Sequence, residues 1–206
     1  MKLIISLLVL PFVSYAEESL DPQIIEVEDV MQVCKIRPKL KLNASIIAEA
    51  AIKKWPENRK ARTYWYILLC MESGFDPNAG PSSAGAIGIG QIMPKYAAEF
   101  AAQCKLKAPS LEELKTIKVN LLISSCRYAY LFDMFSENAA FSLAAYNAGP
   151  SSITVKMLQE NRARSINRET MGYLALAFSL HEKVERLRHD KKLHSNSAVG
   201  NYLPGR

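Results

Sequence analysis

The sequence predicts a mainly α fold, one helical domain with a small irregular or β-hairpin segment near its middle. Three observations carry this. Apolar residues recur at spacings of three and four through most of residues 43–187; glycines cluster between Phe75 and Pro94; and no repeat or linker divides the chain. The 206 residues, 49% apolar and 22% charged, fit a folded protein and exclude a disordered chain, a collagen or a filament.

The elements follow in order. Met1 and Lys2, an apolar run over 3–13 and the small-residue site Ser14-Tyr15-Ala16 read as a signal peptide over 1–16. The run is far short of the roughly 20 apolar residues that span a bilayer, and the first cysteine, Cys34, lies too far on for lipid attachment. A periplasmic or secreted chain starting near Glu17 is expected, with no stable membrane insertion. Residues 17–42 form an N-terminal extension, acidic and then basic over 35–41, without clear periodicity.

From Asn43 the pattern turns helical. A first helix runs through Ala48 and Ile52 to Trp55 and stops at Pro56; a second covers about 58–73 and ends at Gly74. Gly80, Gly85, Gly88 and Gly90 predict turns, and a helix resumes over 94–104. Ser110 with Glu113 forms a capping-box pattern ahead of one long amphipathic helix carrying Leu114, Ile117, Leu121, Ser125, Tyr128, Phe132 and Phe135. A short helix over 138–147 closes at Gly149-Pro150. The last strong one spans about 170–187, with Tyr173, Leu176, Ala177, Leu180, Val184 and Leu187 on one side. The domain is therefore placed at 43–190, followed by a flexible tail over 191–206.

Charge and cysteines narrow the classes. From Glu17 to Val155 there are 15 basic and 15 acidic residues, so the basic surplus sits in 156–206, with 10 against 5. That tail carries neither zinc-finger spacing nor an aromatic RNA-binding motif, and no nucleic-acid partner is expected. Such a charge run is more often a solvated face, with a weak attraction to anionic polymers or a membrane surface as the alternative. Cys34, Cys70, Cys104 and Cys126 allow three pairings in an oxidising compartment; the expectation is Cys34 with Cys70 and Cys104 with Cys126, against a simple buried role for Cys70.

One carboxyl group stands out. Ala61, Tyr64, Trp65, Leu68 and Leu69 mark an apolar stripe, and Glu72 occupies its next position where an apolar side chain would be regular. Residues 63–71 carry no charge, so this helix is expected to be central and Glu72 partly withdrawn from water. Desolvation raises a carboxyl pKa toward the roughly 6–7 useful to a general acid near neutrality. The bland alternative is a solvated glutamate past the last turn. Asp76, before Pro77, reads as a turn former, so the paired carboxylates of most glycosidases are not visible.

Other chemistries fall away. His181-Glu182-Lys183-Val184-Glu185 lacks the second histidine of a zinc-protease helix, and no metal site or cofactor is expected. Gly80-Pro81-Ser82-Ser83-Ala84-Gly85 is not a nucleophile elbow, and all three histidines lie in the last 26 residues. Gly85, Gly88 and Gly90 fit neither a phosphate-binding loop nor a dinucleotide fingerprint.

Three blocks together, Glu72-Ser73-Gly74-Phe75-Asp76-Pro77, Gly85-Ala86-Ile87-Gly88-Ile89-Gly90-Gln91-Ile92-Met93-Pro94 and Ala145-Tyr146-Asn147-Ala148-Gly149-Pro150, resemble the soluble lytic transglycosylase family in order and spacing. Asn120 and Glu169-Thr170 with Tyr173 are similar to its weaker blocks, extending the likeness over about 44–187. The resemblance implies a goose-lysozyme-like (SLT) helical domain acting on peptidoglycan glycan strands at the bond between N-acetylmuramic acid and N-acetylglucosamine. It implies Glu72 as the single catalytic acid, with Ser73 beside it. Ser82, Gln91, Met93 and Tyr146 would line the sugar groove, and Asn147 and Glu169 would stand near it. On the residues alone, Met93 and Tyr146 read equally as core, Gln91 as a helix cap and Glu169 as a surface charge.

The chain departs from the family pattern in places. The stretch between Pro77 and Gly85 is one residue longer, Ile89 and Gly90 stand for a leucine and a methionine, and Ser124 and Arg127 for a glycine and a tyrosine. Gly90 is expected to take a large side chain off the cleft wall. The reaction expected is a lytic transglycosylation that leaves a 1,6-anhydro-muramyl end. The rivals are a hydrolytic goose-type lysozyme and a non-catalytic wall-binding or assembly protein. A monomer is expected, with secretion or cell-wall machinery as a further partner class.

Overall fold

The computed structural model describes residues 22–152, 155, 156, 159, 160 and 167–200. The signal-peptide reading of 1–16 falls outside them. Eight α-helices are described: α1 (Pro22–Val33), α2 (Ala44–Lys54), α3 (Arg59–Ser73), α4 (Pro94–Gln103), α5 (Leu111–Leu114), α6 (Ile117–Met134), α7 (Ala139–Ala148) and α8 (Arg168–Gly200), with a 3-10 turn at Pro38–Asn43. Among the described residues, the only extended pairing is an isolated antiparallel bridge between Ile87 and Ile92, the small irregular segment expected from the glycines.

α3 is the central element. Asn58 caps it by accepting from the Ala61 N–H at 2.9 Å. Every residue from Ala61 to Leu69 is buried, so the helix is sealed on all sides rather than along one stripe. α1 and α8 pack on it, as do α6 and α7, which also pack on each other. Gly74 ends it at φ 60°, donating to the Cys70 carbonyl at 2.9 Å, while the Phe75 N–H reaches Leu69 at 3.4 Å. The chain therefore turns sharply just beyond Glu72.

Three expectations are corrected. Residues 22–33 of the extension form helix α1, whose Val27, Val30 and Met31 are fully buried in the main core. The helix was hidden because its polar residues are paired far along the chain. Glu26 accepts two bonds from Arg62, at 2.8 and 2.9 Å, and Asp29, 3% exposed, accepts from Arg188 at 3.1 Å and Lys191 at 2.6 Å. The same contacts explain the second correction: α8 runs on through Gly200 instead of ending near Leu187, because Arg188 and Lys191 dock its later turns onto α1. Its buried side is Leu174, Ala177, Leu180 and Val184, whereas Leu176 is 50% exposed. Thirdly, the capping box of Ser110 and Glu113 is formed, but it starts only the four-residue α5. Thr116 then caps α6 separately by accepting from Val119 N–H.

Both disulfides pair as expected, Cys34 with Cys70 and Cys104 with Cys126. The first ties the end of α1 to α3 two residues before Glu72. Closing loops of this length contributes on the order of 2–4 kcal/mol apiece by constraining the unfolded chain.

Candidate active site

Glu72 sits on the last turn of α3, half-buried. Its Oε1 accepts a 2.7 Å hydrogen bond from the Tyr173 hydroxyl of α8. Burial pushes the carboxyl up to about 7, and the tyrosine bond opposes this by favouring the anion. Burial is the larger of these two causes and sets the direction. Asp76 faces elsewhere, accepting from its own turn at Asn78 N–H (2.9 Å) and from Arg37 at 3.1 Å, which is the turn-forming role its place before Pro77 suggested.

The glycine-rich segment comes back to this helix end. Ile87 and Ile92 exchange N–H···O bonds of 3.0 Å in both directions, closing a tight turn over 88–91. Ser73, beside Glu72, donates its hydroxyl to the Ile89 carbonyl at 2.7 Å, and Tyr146 of α7 donates to the Gly90 carbonyl at 2.8 Å. Gln91 takes φ 47°, with its side-chain Nε2 on the Gly88 carbonyl at 3.0 Å. Burial raises the Tyr146 phenol, and the Glu72 charge adds to the rise; Tyr173 is raised by burial and then by Glu72. The structure thus gathers Glu72, Ser73, Gln91, Tyr146 and Tyr173 around one turn.

The other sequence-derived residues are placed less centrally. Ser82 is exposed and bonds within its own turn, accepting from Ala86 N–H at 3.1 Å. Met93 is half-buried, immediately before α4. Asn147 is exposed at the end of α7 and accepts from the Thr170 hydroxyl at 3.1 Å, tying α7 to α8. Glu169, next to Thr170, is exposed in the first turn of α8. Tyr173 was read as one member of an apolar stripe; its bond to Glu72 spans 101 residues, and only its membership of a weak motif block hinted at a polar task.

Gly90 is also corrected. A Cβ there would stand 2.4 Å from the Ser124 Cβ, so the missing side chain points into α6 and not onto the cleft wall. The departures at Gly90 and Ser124 face one another: the space a glycine would leave on the helix is taken by Ser124, and the turn supplies the glycine instead.

The charge pattern of this helix end suits proton transfer, since a carboxyl near neutrality is held by one hydroxyl and shielded from bulk water. Among curated proteins, the Soluble lytic murein transglycosylase of Escherichia coli K12 is 31% identical to this chain over 93 residues, and the protein of the same name from Escherichia coli O157:H7 matches equally. The aligned part is 45% of this chain and only 14% of those longer relatives. The family described as Transglycosylase SLT domain matches residues 49–169, more than half of the sequence and inclusive of Glu72, the 85–94 segment and the 145–150 segment, while Tyr173 lies just beyond it. The chain belongs to the transglycosylase SLT domain family.

Proposed function

We propose that this chain is a peptidoglycan lytic transglycosylase that cuts the β-1,4 bond between N-acetylmuramic acid and N-acetylglucosamine, with Glu72 as its acid and base. The observation that carries the reading is a carboxyl group raised to about 7 at a helix end, held by a tyrosine hydroxyl and gathered with Ser73, Gln91 and Tyr146. Family membership and the names of the relatives support the class of reaction.

In this mechanism protonated Glu72 donates to the glycosidic oxygen as positive charge develops at C1 of the muramic sugar. The 2-acetamido group of that sugar stabilises the centre, so no protein nucleophile is needed. Glu72, now ionised, takes the proton of the C6 hydroxyl of the same sugar. The C6 oxygen bonds to C1 and closes the 1,6-anhydro ring, an intramolecular attack favoured by its high effective concentration. The Tyr173 hydroxyl stabilises the ionised intermediate form of Glu72. Gln91, Met93, Tyr146, Ser73 and Ser82 form the wall against which the glycan lies, with Asn147 and Glu169 at its edge. Action on the wall requires export, in agreement with the leader, and no helix among the described residues is long and apolar enough to cross a membrane.

The test is release of soluble muropeptides from purified sacculi. Glu72→Gln is expected to lower the rate at least about 100-fold, the usual contribution of a general acid and base; release at the parent rate rejects the assignment. Mass spectrometry reads the product separately, because an anhydro end is lighter than a hydrolysed end by one water. Reducing ends in place of anhydro ends would make the protein a hydrolase of the same bond.

A further inference from the structure

Gly88 and Gly90 let the turn before Gln91 approach α6 more closely than any side chain would permit. A Cβ on Gly88 would stand 2.4 Å from Asn120 Nδ2, and one on Gly90 would collide with Ser124 at the same distance. At this separation one carboxamide serves three backbone groups. Asn120 Oδ1 accepts from the Gly90 N–H at 2.8 Å, and Nδ2 donates to the Ile87 and Leu114 carbonyls, each at 3.0 Å. Both amide hydrogens and the oxygen are used, and Asn120 is 1% exposed. Leu114 is the last residue of α5, so its carbonyl would otherwise lack a helical partner. Neither aspartate nor leucine offers this set of one acceptor and two donors in one plane.

The turn that Asn120 grips is strained on its outer side. Gln91 holds φ 47°, a conformation unfavourable to a residue with a side chain, which persists only where the surroundings over-determine it. Here they do: Ser73 of α3 holds Ile89, Tyr146 of α7 holds Gly90, and Asn120 of α6 holds Ile87 and Gly90. Two of the three clamps, Ser73 and Tyr146, lie on the Glu72 side. Asn120 works from behind, out of reach of any substrate.

We propose that Asn120 is a positioning residue: by fixing the 87–91 turn against α6 it sets where the Gln91 side chain stands relative to Glu72, and thereby how tightly the glycan is held. The inference rests on the reading of Gln91 as a groove residue. It predicts a defect in glycan affinity that passes through Gln91, which a general loss of folding would not produce.

The test measures equilibrium binding of a soluble, uncrosslinked strand of alternating N-acetylglucosamine and N-acetylmuramic acid by calorimetry, in a Glu72→Gln background that suppresses turnover. Adding Asn120→Ala is expected to weaken binding about tenfold, as is adding Gln91→Ala. With both present, affinity should fall no more than about twofold below that of the Gln91 variant, since two residues acting through one contact are not additive. Additive losses, or unchanged affinity in a folded Asn120→Ala chain, overturn the proposal. A second route leaves Asn120 in place, in case its removal prevents folding. Gly90→Ala pushes the turn off Ser124 and should reproduce the loss, and Ser124→Gly in the same chain should restore affinity to within about twofold. A chain with both changes that binds as weakly as Gly90→Ala alone also counts against it. If the Glu72→Gln chain still cleaves the strand, the catalytic assignment fails while the affinity comparison still judges Asn120.

Discussion

Two carboxyl groups are withdrawn from water around α3, and the fold treats them in opposite ways. Asp29, on the helix packed behind α3, is 3% exposed and faces two cations, Arg188 at 3.1 Å and Lys191 at 2.6 Å. Glu72, at the front end, has a tyrosine hydroxyl at 2.7 Å and, among the described residues, no cation partner. Paired cations give the first carboxylate a structural part, whereas burial raises the second toward neutral pH. The back of the molecule is thus held by charge, while the front keeps the carboxyl to which the proposed function gives the chemistry. α1, which carries Asp29, lies before the first matched residue of the family, at 49, yet it shares the core of the helix that carries Glu72.

Exchanging the two fates gives the sharpest tests. The largest effect is on turnover: Glu72→Gln removes at least about 100-fold of muropeptide release, whereas Asp29→Ala should leave release per folded molecule within about twofold. Stability should move the other way. Asp29→Ala strips Arg188 of a buried partner, a loss of about 3 kcal/mol, at the low end for a broken buried pair because Arg188 keeps Thr63 and Glu185. Urea unfolding measures it, and a loss below about 1 kcal/mol would show that Asp29 does not anchor α1 by charge. Next in size, replacing Cys34 and Cys70 together by serine should cost about 2–4 kcal/mol, seen as a lower midpoint that reducing agent no longer shifts further at that site.

The same contrast explains what could be read from the sequence. Glu72 was legible because an acid interrupted an apolar stripe on an uncharged stretch, a local signal that α3 honours. The helix boundaries at Asn58, Gly74, Asn138 and Gly149 were legible for the same reason, since caps and left-handed turns are short-range chemistry. α1 was not, because Glu26 and Asp29 look solvated until Arg62, Arg188 and Lys191 are brought to them, the last 162 residues away. Tyr173 failed likewise: an aromatic at helical spacing reads as core until its hydroxyl is found on Glu72. The capping box at Ser110 was found, but the break between Lys115 and Thr116 was not, because the apolar spacing continues across it. Gly90 was misread for want of its neighbour, Ser124.

The proton at Glu72 also leaves a mark on stability. Its folded pKa, about 7, lies above the ordinary value of 4.5. Between those limits the unfolded chain has already lost this proton while the folded chain keeps it, so stability falls as pH rises from 4.5 to 7. The penalty is complete above 7 and absent below 4.5. Glu72→Gln cannot ionise and should escape it, making that variant more stable than the parent at pH 8 and not at pH 4, a reversal that unfolding at the two pH values would detect; equal differences at both would mean that the site is wetter than its burial suggests.

The smallest effect belongs to Tyr173→Phe. Its hydroxyl lowers the Glu72 pKa against the burial that raises it. Removing the hydroxyl while keeping the ring preserves the burial and deletes the opposing bond, so the carboxyl should titrate at higher pH still. In the proposed mechanism donation to the leaving oxygen requires the protonated form, so the alkaline limb of the pH profile should move upward. In that mechanism the first step, which turns neutral Glu72 into its ionised form, loses the bond that stabilises that form, and the maximal rate should fall about threefold to tenfold, the worth of one hydrogen bond to a charged group less the gain from a stronger base in the later step. A lower rate with an unmoved limb would reduce Tyr173 to packing. A limb moved downward would mean that the hydroxyl holds the protonated carboxyl rather than the ionised one, and would reverse the division of labour between the burial of Glu72 and its tyrosine partner.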